Sequence, residues 1–294
     1  MSDTTESLRR KITSAGDLQS VVRTMKAMAA SSIGQYENAV RSLDDYYRTV
    51  QLGLIACFRQ NELSDAVMKQ EPNDTGTINV IVFGSDQGLV GQFNEVMAEF
   101  VVKTLKDMSG KVSIWTVGER IHSRLAETNL PLEESFTLPN SICAITQLVG
   151  QLLTALEVRR EKGLVTQVYL FNNCPKSGSI FTPVSRRLLP LDNTWKHDLT
   201  ASPWPTNNLP ETLNNSEDTL LAFVSEYLFV SLFRACAESL ASENASRLAA
   251  MQRAEKNIDE LLEDLNRSFH RLRQSGIDEE LFDVISGFEA LTAT

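Results

Sequence analysis

Apolar residues recur at alternating steps of three and four through both ends of this chain. Within the first sixty residues they fall on Leu8, Ile12, Ala15, Leu18, Val22, Met25, Ala29, Ile33, Tyr36, Val40, Leu43, Tyr47, Val50, Leu54 and Phe58. Because no proline precedes Pro72, this stripe predicts one long helix that packs on another in a left-handed coiled coil. About fifty such residues make a rod of roughly 75 Å. The alternative is a helix buried in a globular core, which rarely needs this length.

The C-terminal end repeats the pattern most clearly from Leu248 to Leu291. No proline follows Ser216, so residues 216–294 are predicted to form a second helix, of roughly 110 Å if it is continuous. A single helix of that length would expose its apolar stripe to water, and the N-terminal helix offers a stripe of the same period. We therefore predict that the two ends pair as an antiparallel coiled coil.

The middle of the chain has a different pattern, in which short apolar runs alternate with helical segments. Strands are predicted at 78–83, 112–117 and 165–173, one or two more within 179–191, and helices at 92–106, from Gly118 onward and at 139–162. This alternation is typical of an open, largely parallel sheet. The predicted fold class is thus α/β with long helical extensions: an antiparallel coiled coil of the terminal helices and a central Rossmann-like open sheet domain.

Composition shifts give the predicted boundaries. Residues 193–215 are rich in proline and asparagine and read as a linker loop. The predicted organisation is an N-terminal coiled-coil helix at 1–65, an α/β domain at 76–192, the linker, and a C-terminal coiled-coil helix at 216–294.

Charge and cysteine content narrow the function classes. The net charge of −10 disfavours a nucleic-acid partner. The four cysteines have no zinc-site spacing, which indicates reduced thiols in a cytosolic protein. No stretch approaches eighteen uninterrupted apolar residues and no signal peptide is evident, so we expect a chain that does not span a membrane, though it could dock on a protein that does.

The segment GSDQGLVGQFN follows a predicted strand and opens a helix, which is where a phosphate-binding loop would lie. It is neither GxGxxG nor a P-loop, and no lysine is placed to reach a phosphate. Gly84, Gly88 and Gly91 fit a tight strand-to-helix turn instead. The three histidines are far apart in sequence, and no nucleophile–base arrangement is visible. We therefore expect no catalytic residue, cofactor or metal site.

Three segments resemble the gamma subunit of F-type ATP synthases. They are TMKAMAAS at residues 24–31, SDQGLVGQFN at 85–94, and a C-terminal signature matched at Ser242, Glu243, Arg247, Ala250, Met251, Asn257, Arg273, Gln274, Ile277, Glu280, Gly287, Ala290 and Leu291. The chain departs from the family pattern where basic residues usually follow Ala-Ala-Ser, and at Gln87, Val90 and Gln92. It therefore resembles a divergent member, such as the copy encoded by an alternative F-type operon.

The resemblance implies a non-catalytic rotor shaft, which couples ion flow through the membrane ring to ATP synthesis or hydrolysis. Its implied partners are the alpha and beta subunits of the catalytic hexamer, the epsilon subunit and the ring of c subunits, with no nucleic acid and no direct small-molecule substrate. The implied location is peripheral, on the cytoplasmic face of a bacterial plasma membrane. Two rival functions remain open: a free-standing coiled-coil adaptor and a nucleotide-using α/β enzyme.

The same resemblance assigns residues to the hexamer contact: Met25, Lys26, Arg273, Gln274 and Glu280. Met25 also belongs to the apolar stripe, which favours a place in the seam between the helices. Treating the two signatures as one level of the shaft predicts that Met25 faces residues 269–281. Met25, Ala29, Leu272 and Ile277 are then expected in or beside the seam, with Arg273 and Gln274 pointing outward.

Overall fold

The computed structural model describes residues 4–60, 77–108, 110–176, 179–191, 193–201, 204–208 and 216–292. In chain order the elements are α1 (Thr5–Gln60), β1 (Thr77–Phe83), α2 (Phe93–Lys106), β2 (Lys111–Val117), α3 (Glu119–Ala126), β3 (Leu132–Phe136), α4 (Ile142–Glu161), β4 (Gln167–Lys176), β5 (Ser179–Leu189), α5 (Asn193–Thr200) and α6 (Ser216–Thr292). The chain divides into unit 1, residues 1–29 and 248–294, and unit 2, residues 30–247. Helices α1 and α6 contribute to both units.

The two terminal helices are as long as their apolar stripes predict. Helix α1 has 56 residues and α6 has 77, and each is continuous. Thr4 caps α1, because its hydroxyl oxygen accepts a hydrogen bond from the Ser7 amide at 3.2 Å. The prediction of long helices around a central sheet is confirmed.

Unit 1 is an antiparallel pair made from the first part of α1 and the last part of α6. Arg23 Nε lies 2.9 Å from Glu255 Oε1, and Gln19 bonds to Asp259. An earlier residue of α1 thus meets a later residue of α6, which defines the antiparallel direction. The seam contains buried residues of the predicted stripes: Leu8, Ala15, Ala29 and Met251.

The predicted register of this pair is wrong. Met25 was expected to face residues 269–281, but its neighbour Lys26 pairs with Glu255. Phe269 lies fourteen residues beyond Glu255, about 21 Å farther along a helix axis. An apolar stripe with a near-constant repeat is compatible with several registers, and the charged pairs select among them. The two helices are still antiparallel, because the ion pairs join them across the seam at a different level from the one predicted.

The five strands of unit 2 form one sheet in the order β3-β2-β1-β4-β5. Strands β1 to β4 are parallel, and β5 pairs antiparallel with β4. Helices α2 and α3 cover one face, where Val80, Met97 and Ile121 are fully buried. Helix α4 and parts of α1 and α6 cover the other face, around Trp115 and Ile145. The result is a three-layer α/β unit.

Two elements differ from the sequence prediction. Residues 193–200 form helix α5 where a loop was predicted, and its Trp195 packs against Phe58 and Tyr227 with ring centroids 6.1 and 5.1 Å away. Strand β3 was not predicted, because its sequence LEESF is polar. It forms through pairing with β2 and through Arg159 of α4, which binds Glu133 at 2.5 Å.

Within the described part of the chain, two helical segments are long and apolar enough to cross a membrane by length and composition alone: Ile142–Glu161 and Asp218–Ser286. One apolar face of α4 points into the core of unit 2, where Ile145, Val149 and Leu152 are fully buried. We therefore read α4 as a core helix of the α/β unit.

Candidate functional site

The predicted partner-binding residues near the end of α6 are exposed. Arg273, Gln274 and Glu280 all lie on the surface of unit 1. The outward direction expected for Arg273 and Gln274 is therefore found. A guanidinium, an amide and a carboxylate there offer both donors and acceptors to another protein.

Met25 and Lys26 lie on α1 and are both half-buried. Glu255 of α6 binds Lys26 and also Arg23, and these hydrogen bonds, Lys26 first, hold the pKa of Glu255 below its ordinary value. Lys26 thus stabilises the helix pair itself. Met25, next to it, is half-buried, and its place beside the seam stays a prediction from the stripe.

The last turns of α6 present an apolar surface. Ile277 was expected in the seam, but it is 53 % exposed. Ile277 lies twenty-two residues beyond Glu255, and counting twenty-two residues back from Lys26 passes the first residue of α1, Thr5. Other large apolar side chains of this segment are also exposed: Leu281, Phe282, Val284, Ile285 and Phe288. Exposed apolar surface of this extent is typical of a protein interaction site.

A second candidate site is the crevice at the carboxyl edge of the sheet. The chain winds outward from β1 in one direction through β2 and β3 and in the other through β4, so the crevice lies between the ends of β1 and β4. Doubly wound sheets bind their ligands at such a switch point. The glycine-rich segment 84–92 follows β1 at this position.

That segment is held by its own side chains and is tightly packed. Asn94 accepts a hydrogen bond from the Ser85 amide at 3.1 Å and donates one to the Ser85 hydroxyl at 2.8 Å. A Cβ added to Gly84 would lie 2.2 Å from the Cβ of Ile121. Gly118, with φ of 117°, lies against the Ser85 backbone, which a Cβ would approach to 2.8 Å. These close approaches explain why both positions carry glycine.

The N-terminus of α3, which follows the neighbouring strand β2, lies against the same loop, and two of its amide donors are used there. The Glu119 amide donates to Asp86 Oδ1 at 3.0 Å, and the Arg120 amide donates to the Ser85 carbonyl at 2.9 Å. Asp86 therefore occupies the position where a helix N-terminus would bind a phosphate.

Helix α6 fills the remainder of the crevice. The Ser242 hydroxyl donates to the Asn173 carbonyl at 3.1 Å, and the Ser246 hydroxyl donates to the Val90 carbonyl at 2.5 Å. Both serines are buried. The place where a doubly wound sheet would bind a nucleotide is thus occupied by the protein's own helix. Among the described residues, no group of three acidic, histidine or cysteine side chains is arranged to hold a metal ion.

A buried carboxylate lies beside these serines. Glu243 accepts a hydrogen bond from Arg247 at 2.6 Å through Oε1, while its Oε2 has no hydrogen-bond partner among the described residues. Burial raises the pKa of Glu243 to about 6, and the charge of Asp86 adds to the effect although Arg247 opposes it. The family resemblance matched Ser242, Glu243 and Arg247 in the C-terminal signature and Asp86 within SDQGLVGQFN, but it assigned none of these residues a role.

Comparison with known proteins identifies the family. A family model described as ATP synthase matches residues 4–291. The ATP synthase gamma chain of Anaeromyxobacter dehalogenans (strain 2CP-C) is 28 % identical over 290 residues, which covers 97 % of this chain and 98 % of the relative. That of Arthrobacter sp. (strain FB24) is 27 % identical over 292 residues and covers 97 % of each. The chain belongs to the ATP synthase gamma family.

Solved structures share the fold. The rotor of the Euglena gracilis mitochondrial ATP synthase superposes with a TM-score of 0.64 at 15 % identity, covering 93 % of this chain and 98 % of that one. The central stalk of the Tetrahymena thermophila mitochondrial enzyme gives 0.56 at 22 % identity, covering 80 % and 99 %. The predicted gamma subunit is therefore confirmed, and with it a non-catalytic shaft role. As a gamma chain, the protein is part of the peripheral sector of a membrane-attached enzyme.

Proposed function

We propose that this chain is the central rotor shaft of an F-type ATP synthase on the cytoplasmic face of a bacterial plasma membrane. In this role it turns inside a hexamer of alpha and beta subunits and binds the epsilon subunit and the ring of c subunits. Rotation couples ion flow through the ring to ATP synthesis or hydrolysis, because the shaft changes nucleotide affinity at the hexamer sites in turn. The observation that supports this most is the family match over residues 4–291.

The structure suits a shaft in physical terms. A rotor must resist bending, and two paired helices are stiffer than one. Unit 1 provides that pair, and its surface carries the apolar end of α6. Burying such a surface in a partner would be favoured by about 25 cal/mol per Å² of apolar area.

We assign the hexamer contact chiefly to Arg273, Gln274 and Glu280. They are exposed beside the apolar end of α6, where hydrogen bonds to a partner can orient an otherwise apolar contact. Lys26 is engaged with Glu255, so a contact between Lys26 and the hexamer would be shared with that carboxylate. Met25 contributes through the seam, which sets the shape of the surface around it.

Reassembly tests the proposal. The purified chain should bind an alpha–beta mixture as one copy per hexamer and raise its ATP hydrolysis, while showing no phosphate release by itself. An Arg273→Ala/Gln274→Ala variant should raise hydrolysis severalfold less. The control is Arg271→Ala, which changes an exposed residue about 200° around the helix from Arg273. Failure of the wild-type chain to bind the hexamer would contradict the shaft role and favour a free-standing adaptor.

The rival hypothesis, a nucleotide-using α/β enzyme, predicts a different result. Steady phosphate release by the chain alone, abolished by a change at Gly88 in the loop after β1, would show a working nucleotide site. We expect neither, because α6 fills the crevice where such a site would form and Asp86 takes a donor at the N-terminus of the neighbouring helix α3.

A further inference from the structure

Four polar side chains of α6 follow one another at intervals of four residues: Arg234, Glu238, Ser242 and Ser246. Residues at this spacing form a continuous ridge on a helix surface. We call this set the polar ridge. It extends over about 18 Å of the helix, and all four residues belong to unit 2.

Each member of the ridge bonds to another element. Arg234 binds Asp44 of α1 at 3.0 Å. Glu238 accepts from Asn172 of β4 at 3.2 Å and pairs with Arg186 of β5 at 3.2 Å. Ser242 and Ser246 bond to β4 and to the loop after β1, as described above. The ridge thus connects α6 to α1, to two strands and to the glycine-rich loop.

In the charged half of the ridge, Arg234 and Glu238, the carboxylate of Glu238 is paired with guanidinium groups. Burial alone would raise the pKa of Glu238, but hydrogen bonds from Arg234 and Cys174 and the charge of Arg186 together hold it below its ordinary value. Glu238 therefore stays ionised at neutral pH between two guanidinium groups. A turn of α6 away from this position would leave a buried carboxylate without its partners, which is strongly unfavourable.

Apolar contacts alone would fix the position of α6 poorly. They are non-directional, and a packed helix can shift by a turn or rotate between alternative sets of apolar contacts. Buried hydrogen bonds are directional, and each one broken leaves an unsatisfied group. We propose that the polar ridge fixes the rotational and axial position of α6 on the α/β unit, so that turning force passes between them without slip. This proposal rests on the shaft role proposed above.

The chain contains a matched control for this idea. Ser239 is a buried serine of the same helix, but its hydroxyl has no hydrogen-bond partner among the described residues. Replacing Ser239 by alanine removes the same atom as replacing Ser242 or Ser246, without removing a contact to the sheet or the loop.

The first measurement uses the full chain by itself. Hydrogen exchange of the α6 amides should be 10- to 100-fold faster in Ser242→Ala/Ser246→Ala than in the wild type, since one net hydrogen bond corresponds to roughly tenfold. Ser239→Ala should exchange as the wild type does. Equal rates in the double variant and in Ser239→Ala would overturn the proposal, and this result does not depend on the shaft role.

The second measurement uses the complete ATP synthase in membrane vesicles. ATP hydrolysis and the membrane potential that it generates are followed together, so that the potential produced per ATP is obtained. This ratio should fall at least twofold in Ser242→Ala/Ser246→Ala and stay unchanged in Ser239→Ala. A merely structural role would reduce the amount of assembled enzyme but not the ratio. Faster exchange with an unchanged ratio would overturn the proposal, whereas failure of the wild-type chain to assemble would contradict the shaft role instead.

Discussion

Glu243 shows how a single buried residue makes the stability of this chain depend on pH. Its pKa is raised to about 6 from an ordinary value of 4.5, so the folded chain holds the proton more tightly than the unfolded chain does. This contribution to stability is fully present below the unfolded pKa and is lost as the pH rises through about 6. A shift of this size corresponds to about 2 kcal/mol in total.

We expect Glu243→Gln to remove this pH dependence. Between pH 5.5 and pH 7.5, the free energy of unfolding of the variant relative to the wild type should rise by about 1 kcal/mol. Urea unfolding of the chain at the two pH values gives the difference, and pH 5.5 keeps the chain above its pI of about 4.9. The control is Glu255→Gln: because the pKa of Glu255 is lowered, its contribution is lost only as the pH falls below the ordinary value of 4.5, so its difference from the wild type should stay nearly constant between pH 5.5 and pH 7.5. A constant difference for Glu243→Gln would contradict the burial of this carboxylate.

At the scale of elements, two glycines in helix interiors should respond oppositely to the same substitution. A Cβ at Gly150 of α4 would meet no atom within 4 Å, whereas one at Gly53 of α1 would lie 2.3 Å from the Phe223 ring of α6. Gly150→Ala should raise the free energy of unfolding by about 0.5–1 kcal/mol through backbone entropy. Gly53→Ala should lower it by about 1–3 kcal/mol, because α1 and α6 must separate or the ring must move. Urea midpoints at unchanged slope measure both, and a stabilising Gly53→Ala would show that α1 and α6 do not pack this closely.

The edge strand β3 depends on one arginine of α4. Arg159 binds Glu133 at 2.5 Å, Ser113 at 3.0 Å and Glu134 at 3.4 Å, and its guanidinium lies 4.9 Å from the Trp115 ring centre. A register shift between β2 and β3 lets two consecutive glutamates reach the same cation.

Replacing Arg159 by methionine should therefore destabilise unit 2 by about 1–3 kcal/mol, since it removes the guanidinium bonds to the buried Ser113 hydroxyl and to two glutamates. Amide exchange in β3 should accelerate more than exchange in β1. Arg160→Met, which changes the exposed neighbouring residue, is the control and should be nearly neutral. Equal losses in the two variants would show that Arg159 does not hold the edge strand.

For the whole molecule, the elements that depend on local periodicity could be predicted from the sequence. The elements that form through contacts with residues distant in sequence could not. The stripes ending at Phe58 and beginning at Leu248 predicted both long helices, and the alternating middle predicted most of the sheet. Strand β3 and helix α5 could not be predicted, because Arg159 and the partners of Trp195 are far from them in sequence. The coiled-coil register also failed, because it rested on placing the two signatures of the family resemblance at one level. The repeating stripe does not distinguish one level from another, and ion pairs such as Arg23–Glu255 select the observed one.

The apolar end of α6 determines how the whole chain should behave without partners. Phe282 and Val284 are 68 % and 69 % exposed, and association with another copy would remove these side chains from water. The wild-type chain alone should therefore self-associate as its concentration rises. Burying one large apolar side chain contributes about 1.5–3 kcal/mol, so Phe282→Ser/Val284→Ser should weaken this association more than tenfold.

Sedimentation or light scattering over a range of concentrations measures the effect. Leu261→Ser is the control, because Leu261 is 50 % exposed but lies in the part of α6 that pairs with α1. Adding the alpha–beta hexamer should suppress self-association of the wild type as effectively as the Phe282→Ser/Val284→Ser substitutions do, since a shaft buries this surface in its hexamer. A wild-type chain that stays monomeric at all concentrations would show that the apolar end of α6 needs no partner, and would count against a surface built for insertion.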